Sequence, residues 1–157
     1  YNKILPKPGQ GLGASGSFVP VPMAQSFVEA VKSGNIENLI QETRRYNVQM
    51  RDVIDPARFG GNLISTATNI QDEDKAIKMM SFLIENGVDP MQRDNLKQTP
   101  LYYTSRDGLN NVCQFLADQG LDVNNIDTYG QNPIFYAVNL GRLDTCKVLK
   151  ENGSDHD

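Results

Sequence analysis

Apolar residues come along this chain in short clusters closed by glycine, and the clusters recur. In TPLYYTSRDGLNNVCQFLADQG, starting at Thr99, a proline opens one apolar run and a glycine interrupts it. A second run then carries Phe115 and Leu116 side by side before another glycine. NPIFYAVNLGRLDTCKVLKENG, starting at Asn132, has the same form, with Val148 and Leu149 as its apolar pair. Pro100 falls against Pro133, Gly108 against Gly141 and Gly120 against Gly153, each pair 33 residues apart. Asp94 against Asp127 and Asp122 against Asp155 keep that offset, so a whole unit is duplicated rather than one helix.

Each unit predicts two helices. Thr99 and Asn132 are expected to cap the first helix with a side-chain oxygen, and a proline at the first helical position sacrifices no hydrogen bond. Gly108 and Gly141 supply the positive backbone angle that ends it, and the apolar pairs then line one face of the second helix. The segments RDNLKQ and DTYGQN carry turn chemistry and link consecutive pairs. A single pair cannot bury its own apolar face, so stacking has to supply the core.

Two weaker copies lie upstream. Residues 62–67, followed by MMSFLIENGVD from Met79, fit the frame if four extra residues sit near 69–74, because Ile64 to Leu101 spans 37 positions rather than 33. The acidic run Gln71, Asp72, Glu73 and Asp74 predicts a lengthened, solvated turn there. SFVEAVKSGNIENLI, from Ser26, aligns through Phe27, Ala30 and Gly34, with Phe27 to Ile64 again spanning 37. About four repeats result, over 23–56, 57–93, 94–126 and 127–157, behind a Gly/Pro-rich extension over 1–22.

The unit resembles the ankyrin repeat. Asp127, Gly130, Asn132, Pro133, Ile134, Ala137, Gly141, Val148, Leu149, Gly153 and Asp155 fall on its pattern of Asp-x-x-Gly-x-Thr-Pro-Leu-His-x-Ala, a helix-breaking Gly, a second apolar helix and Gly-x-Asp. The preceding copy keeps Thr99-Pro100-Leu101 but carries Lys97 at the finger glycine, and Tyr102 and Phe135 stand where the family usually has His. The resemblance implies an all-α solenoid of stacked helix-turn-helix pairs joined by β-turn fingers. It also implies a non-catalytic protein-interaction module, binding a protein or extended peptide through its concave face of fingers and inner helices.

Carried over residue by residue, the implied finger contacts are Arg58, Phe59, Asn95, Leu96, Thr128 and Tyr129. The implied inner-helix contacts are Asn69, Ile70, Arg106, Asp107, Asn139 and Leu140. The strongest set is Arg58, Phe59, Leu96, Arg106, Tyr129, Asn139 and Leu140, because an apolar strip flanked by Arg and Asn is the composition of an interface centre. Asn124 is a candidate for hydroxylation: Leu116 stands eight residues before it and Val123 directly before it, a spacing similar to ankyrin substrates of asparaginyl hydroxylases.

Charge and composition remove the other classes. Nineteen acidic against 15 basic residues give a net charge of -4 with no basic stripe, which argues against nucleic acid as a partner. No apolar run approaches the ~20 residues that span a bilayer, and YNKILPKPGQ lacks a signal-peptide core, which points to a cytoplasmic or nuclear protein without a membrane partner. Cys113 and Cys146 are too few for a disulfide scaffold or a zinc site, and at equivalent places in successive helices they are expected to be inert core thiols.

Residues 11–16 satisfy GxGxxG letter for letter, but LPKP before and SFVPVP after exclude the strand and helix that a dinucleotide loop needs. The sole histidine, His156, cannot assemble a nucleophilic triad. No enzyme activity, cofactor, metal or small-molecule substrate is therefore expected. The first residue is Tyr and the chain stops soon after its last repeat, which suggests a module from a larger protein.

Two other roles fit the same pattern. One is a targeting domain of a multidomain enzyme, in a narrower version reading a methylated lysine through an aromatic cage of Tyr129, Tyr102 and Phe135. The other is a spacer within a longer repeat array. Tyr102 and Phe135 are otherwise expected to pack between helices.

Overall fold

A computed structural model describes residues 19–154, so the Gly-rich stretch at 11–16 and His156 lie outside the described residues. The described residues form eight α-helices. The chain divides into two compact units, at 1–89 and 90–157.

The first unit contains α1 (Val21–Lys32), α2 (Ile36–Tyr46), α3 (Leu63–Ala67) and α4 (Glu73–Glu85). Helix α1 packs on α2 and α3, and α3 packs on α4. Phe27, Val31, Leu39, Leu63, Ile64, Met80 and Leu83 have essentially no exposed surface and make its core. Asn35 starts α2 by accepting the Asn38 N–H at 2.9 Å, and Asn62 starts α3 by accepting the Ile64 N–H at 3.0 Å.

The second unit contains α5 (Pro100–Asp107), α6 (Asn110–Asp118), α7 (Pro133–Asn139) and α8 (Leu143–Glu151). Helices α5 and α7 lie in one layer and α6 and α8 in the other. Leu101, Tyr102, Val112, Cys113, Leu116 and Ala137 are completely buried, and Leu149 nearly so. The helix-ending glycines behave as the repeat requires, with φ of +71° at Gly108 and +70° at Gly141.

Several local expectations change. Asp72, Glu73 and Asp74 are not a turn: Asp72 caps α4 by accepting the Lys75 N–H at 3.2 Å, and the next two acids occupy the first helical turn. Their charge favours the positive end of the helix dipole. The extra residues instead form the connection 68–72, in which Ile70 is buried and so is lost to any contact surface.

Asn132 caps α7 through the Phe135 N–H at 3.2 Å, whereas Thr99 makes no side-chain cap and its buried Oγ1 has no partner. Cys113 is buried and Cys146 is half-exposed, so only the first is a core thiol. Phe135, expected between helices, is partly exposed beside Tyr136.

Candidate functional site

Each finger is tied to its own inner helix by one buried aspartate. Asp127 Oδ1 accepts the N–H groups of Tyr129 and Gln131, both at 2.9 Å, closing the turn. Its Oδ2 accepts from Tyr136 Oη at 2.5 Å and from Gln98 Nε2 at 2.9 Å. Asp94 repeats the device one unit earlier, with Oδ1 accepting from the N–H groups of Leu96 and Gln98 and Oδ2 from Tyr103 Oη at 2.9 Å. In the first unit Asp55 accepts the Ala57 N–H and the Thr66 hydroxyl.

These locks escaped the sequence reading, although their signal is present. Tyr103 and Tyr136 each follow their finger aspartate by nine residues and are themselves 33 apart. Burial raises the Asp127 pKa, but the bonds from Tyr136, Gln131, Gln98 and Tyr129 outweigh it and hold the carboxyl below its usual value. Burial, and then the bond to Asp127, push the Tyr136 phenol up to about 12, so it remains a donor at neutral pH.

Arg106 sits within this network. Its guanidinium lies 4.4 Å from the Tyr136 ring centre and 5.3 Å from that of Tyr103, and it donates to Gln98 Oε1 at 3.2 Å. It is therefore a half-buried, held cation rather than a free surface arginine. Adjacent fingers are joined through their backbones, with the Thr128 N–H donating to the Leu96 carbonyl at 2.8 Å.

The side chains of Tyr129 (64% exposed) and Leu140 (56%) face solvent, and Asn95, Thr128, Asp107 and Asn139 are exposed too, while Leu96 is half-buried. The repeat register separates two kinds of open position. Leu140 corresponds to Asp107, and Tyr129 to Leu96, and those counterparts keep solvent contact although a further repeat is stacked on theirs. Exposure at Leu140 is thus not due to a missing neighbour, whereas Leu96, half-buried beside the next finger, shows that stacking covers part of the Tyr129 position.

In the first unit, Phe59 is 51% exposed at the tip of the Pro56–Arg58 turn, in the left-handed conformation with φ +54°. An L side chain there costs about 1–2 kcal/mol, and a bulky aromatic rarely adopts it. Arg58 and Asn69 line a groove of about 310 Å³ together with Val21, Gln25 and Lys32, and Arg58 Nε donates to the Ser65 carbonyl at 3.3 Å.

The aromatic cage does not assemble. Tyr102 is completely buried, its hydroxyl lying 2.6 Å from the Asn125 carbonyl and 2.8 Å from that of Gln131, so it presents no ring face to a cation. Asn124 is half-buried, with Nδ2 donating to the Gly153 carbonyl at 3.0 Å.

Among the described residues, no helix is long and apolar enough to cross a membrane. No curated protein matches the chain. The family model for ankyrin repeats in three copies matches residues 63–157, more than half of the chain, and its first matched residue opens α3. Repeats of this kind are generally protein-interaction modules and are typically non-catalytic. With its helix pairs, finger turns and 33-residue register in agreement with that match, the chain belongs to the ankyrin repeat family.

Proposed function

We propose that this chain is a protein-binding module without chemistry of its own, and that its finger tips and inner-helix ends receive a protein or an extended peptide. The observation that carries the reading is the exposure of Tyr129 and Leu140, the second at a position that stacking leaves open. Large apolar side chains held there by a rigid finger cost little entropy on binding and suit the centre of an interface.

Phe59 supports it from the first unit: a strained backbone that displays an aromatic ring to water serves no packing purpose. Arg58 accompanies Phe59 in the first unit, and in the second unit Leu96, Arg106 and Asn139 accompany Tyr129 and Leu140, with Arg106 pre-oriented by its two tyrosines. We take α1 and α2, which precede the matched residues, as a divergent fourth repeat over 23–56. Both cysteines are free, which suits a reducing compartment, the cytoplasm or nucleus.

Binding and stability should then separate by position. The double replacement Tyr129→Ala and Leu140→Ala is expected to change folding by no more than about 1 kcal/mol, while weakening a partner isolated by pull-down by about thirtyfold. Leu116→Ala, in the core, should instead cost about 2–5 kcal/mol. Thermal melts and affinity titrations of the same variants decide the matter. A double variant that melts far below the parent would return those side chains to the core, and one that keeps its partner would move the binding surface elsewhere.

A further inference from the structure

Position 106 is not one at which the repeat asks for a cation. Its register counterparts are Asn69, 37 residues earlier, and Asn139, 33 residues later. A charge at this place is peculiar to one copy, so stacking does not explain it.

The charge of Arg106 also meets no carboxylate within the fold. Gln98 stands between Arg106 and Asp127: its Nε2 donates to Asp127 Oδ2 at 2.9 Å, and its Oε1 accepts from Arg106 at 3.2 Å. Asp127 already accepts four hydrogen bonds and Asp94 three, so both finger carboxylates are satisfied by their own turns and tyrosines. Asp107, next in the chain, instead lines a groove of about 370 Å³ with Asn110, Arg142 and Thr145. Among the described residues Arg106 forms no ion pair. Its partners are neutral, one amide oxygen and two tyrosine rings, and most of its N–H donors remain unused.

The two apolar side chains of the binding surface flank this cation. Tyr136, whose ring lies 4.4 Å from the guanidinium, shares Asp127 with the backbone of Tyr129. Its carbonyl accepts the Leu140 N–H at 3.1 Å, one helical turn on. Arg106 therefore sits beside the finger that bears Tyr129 and within a turn of the helix end that bears Leu140.

We infer, resting on the binding surface proposed above, that Arg106 receives a side-chain carboxylate, Asp or Glu, of an extended partner segment whose neighbouring apolar residues cover Tyr129 and Leu140. A planar guanidinium meets a carboxylate through two parallel hydrogen bonds, and here the tyrosine rings have already fixed its plane. A phosphate, carrying up to two charges, is a poorer match for one cation. The neighbouring Arg142 has its Nε committed to the Arg106 carbonyl at 2.8 Å.

The probe is a displayed library of linear peptides of about 12 residues, about 40 Å when extended, panned against the full chain. Recovered sequences are remade with blocked ends, so that side chains supply the only carboxylates. They should share one Asp or Glu beside apolar residues. On the parent chain, changing that acid to its amide should lower affinity about tenfold or more. Arg106→Gln should impose a similar loss on the acidic peptide and bind acid and amide forms alike. Arg106→Lys, which keeps the charge without the plane, should fall between. The acid-to-amide comparison needs no variant and stands even if thermal melts show Arg106→Gln to be unfolded.

Binders weakened by the Tyr129/Leu140 double variant but insensitive to the acid-to-amide change overturn the inference and leave the binding surface standing. Binders indifferent to that double variant overturn both, as does failure to recover any binder. A loss on Arg106→Gln that is equal for acid and amide peptides overturns the inference too, and reduces Arg106 to a strut between the tyrosines. Tighter binding of a peptide with phosphoserine in place of the acid overturns it in favour of a phosphate.

Discussion

Replacing Asp127 with Asn tests whether one carboxylate joins finger and helix. The side chain is 4% exposed and accepts four hydrogen bonds, two on each oxygen. Asparagine keeps the volume and the Oδ1 acceptor but sets an amide NH2 where Oδ2 stood. Tyr136 can turn its hydroxyl and accept. Gln98 cannot adapt so readily, because flipping its amide to accept from the new NH2 would turn Nε2 toward Arg106, which already donates to Oε1.

The variant thus loses charge assistance and leaves one buried donor facing another. With charge-assisted bonds at about 1.5–3 kcal/mol and an unpaired buried donor at about 1–3 kcal/mol, the cost should be about 3 kcal/mol. Asp94→Asn is the internal comparison. Its Oδ2 meets only Tyr103 Oη, which can reorient, so about 1–2 kcal/mol is expected there.

The dependence on pH follows from the depressed pKa of Asp127. A carboxyl whose folded pKa lies below its unfolded one, near 4, stabilises the fold at pH above the unfolded value and loses that contribution as pH falls through the folded value. The gap between parent and variant should be full at neutral pH and close in acid. The assay is urea unfolding followed by far-UV circular dichroism, since the chain has no tryptophan. A variant within about 0.5 kcal/mol of the parent at neutral pH, an equal cost at Asp94, or a gap that persists in acid would refute the reasoning.

Three further outcomes are open to the same measurements. Lys97 holds φ +60° where Gly130 stands one repeat later, so Lys97→Gly should relieve about 1–2 kcal/mol of strain against ~0.4–1 kcal/mol of added unfolded-chain entropy and leave a gain of up to about 1.5 kcal/mol; a clear loss would contradict it. Thr99→Val removes a buried hydroxyl that has no partner and should stabilise by about 1 kcal/mol, whereas destabilisation by that amount would mean that the hydroxyl is bonded. Asn124 is proposed as a hydroxylation site on its spacing from Leu116 and Val123, and intact-peptide mass spectrometry of protein from its native source should find one added oxygen there; an unmodified peptide would remove the proposal.

The covalent pattern was enough to determine the repeat. Glycines at a fixed interval, prolines at helix starts and apolar pairs on one helix face are local requirements, and local requirements leave a periodic trace in the chain. That trace identified the all-α ankyrin architecture and the ends of α5 and α7. It did not determine which of two equivalent residues is covered. Tyr102 and Phe135 occupy one position of the repeat, yet the first is buried and the second partly open, because burial here depends on a neighbouring helix pair and not on the residue's own surroundings in sequence.

The same holds for Cys113 and Cys146. Ile70 falls on a surface position of the repeat pattern, but the irregular connection 68–72 breaks the register and buries it. Hydrogen bonding shows the limit as well. Thr99 and Asn132 are interchangeable as cap residues by pattern, but only Asn132 makes the bond, and the aspartate that joins each finger to its helix finds its partners 9 or 29 residues away. Such partners are chosen by three-dimensional approach, which the tertiary structure alone decides.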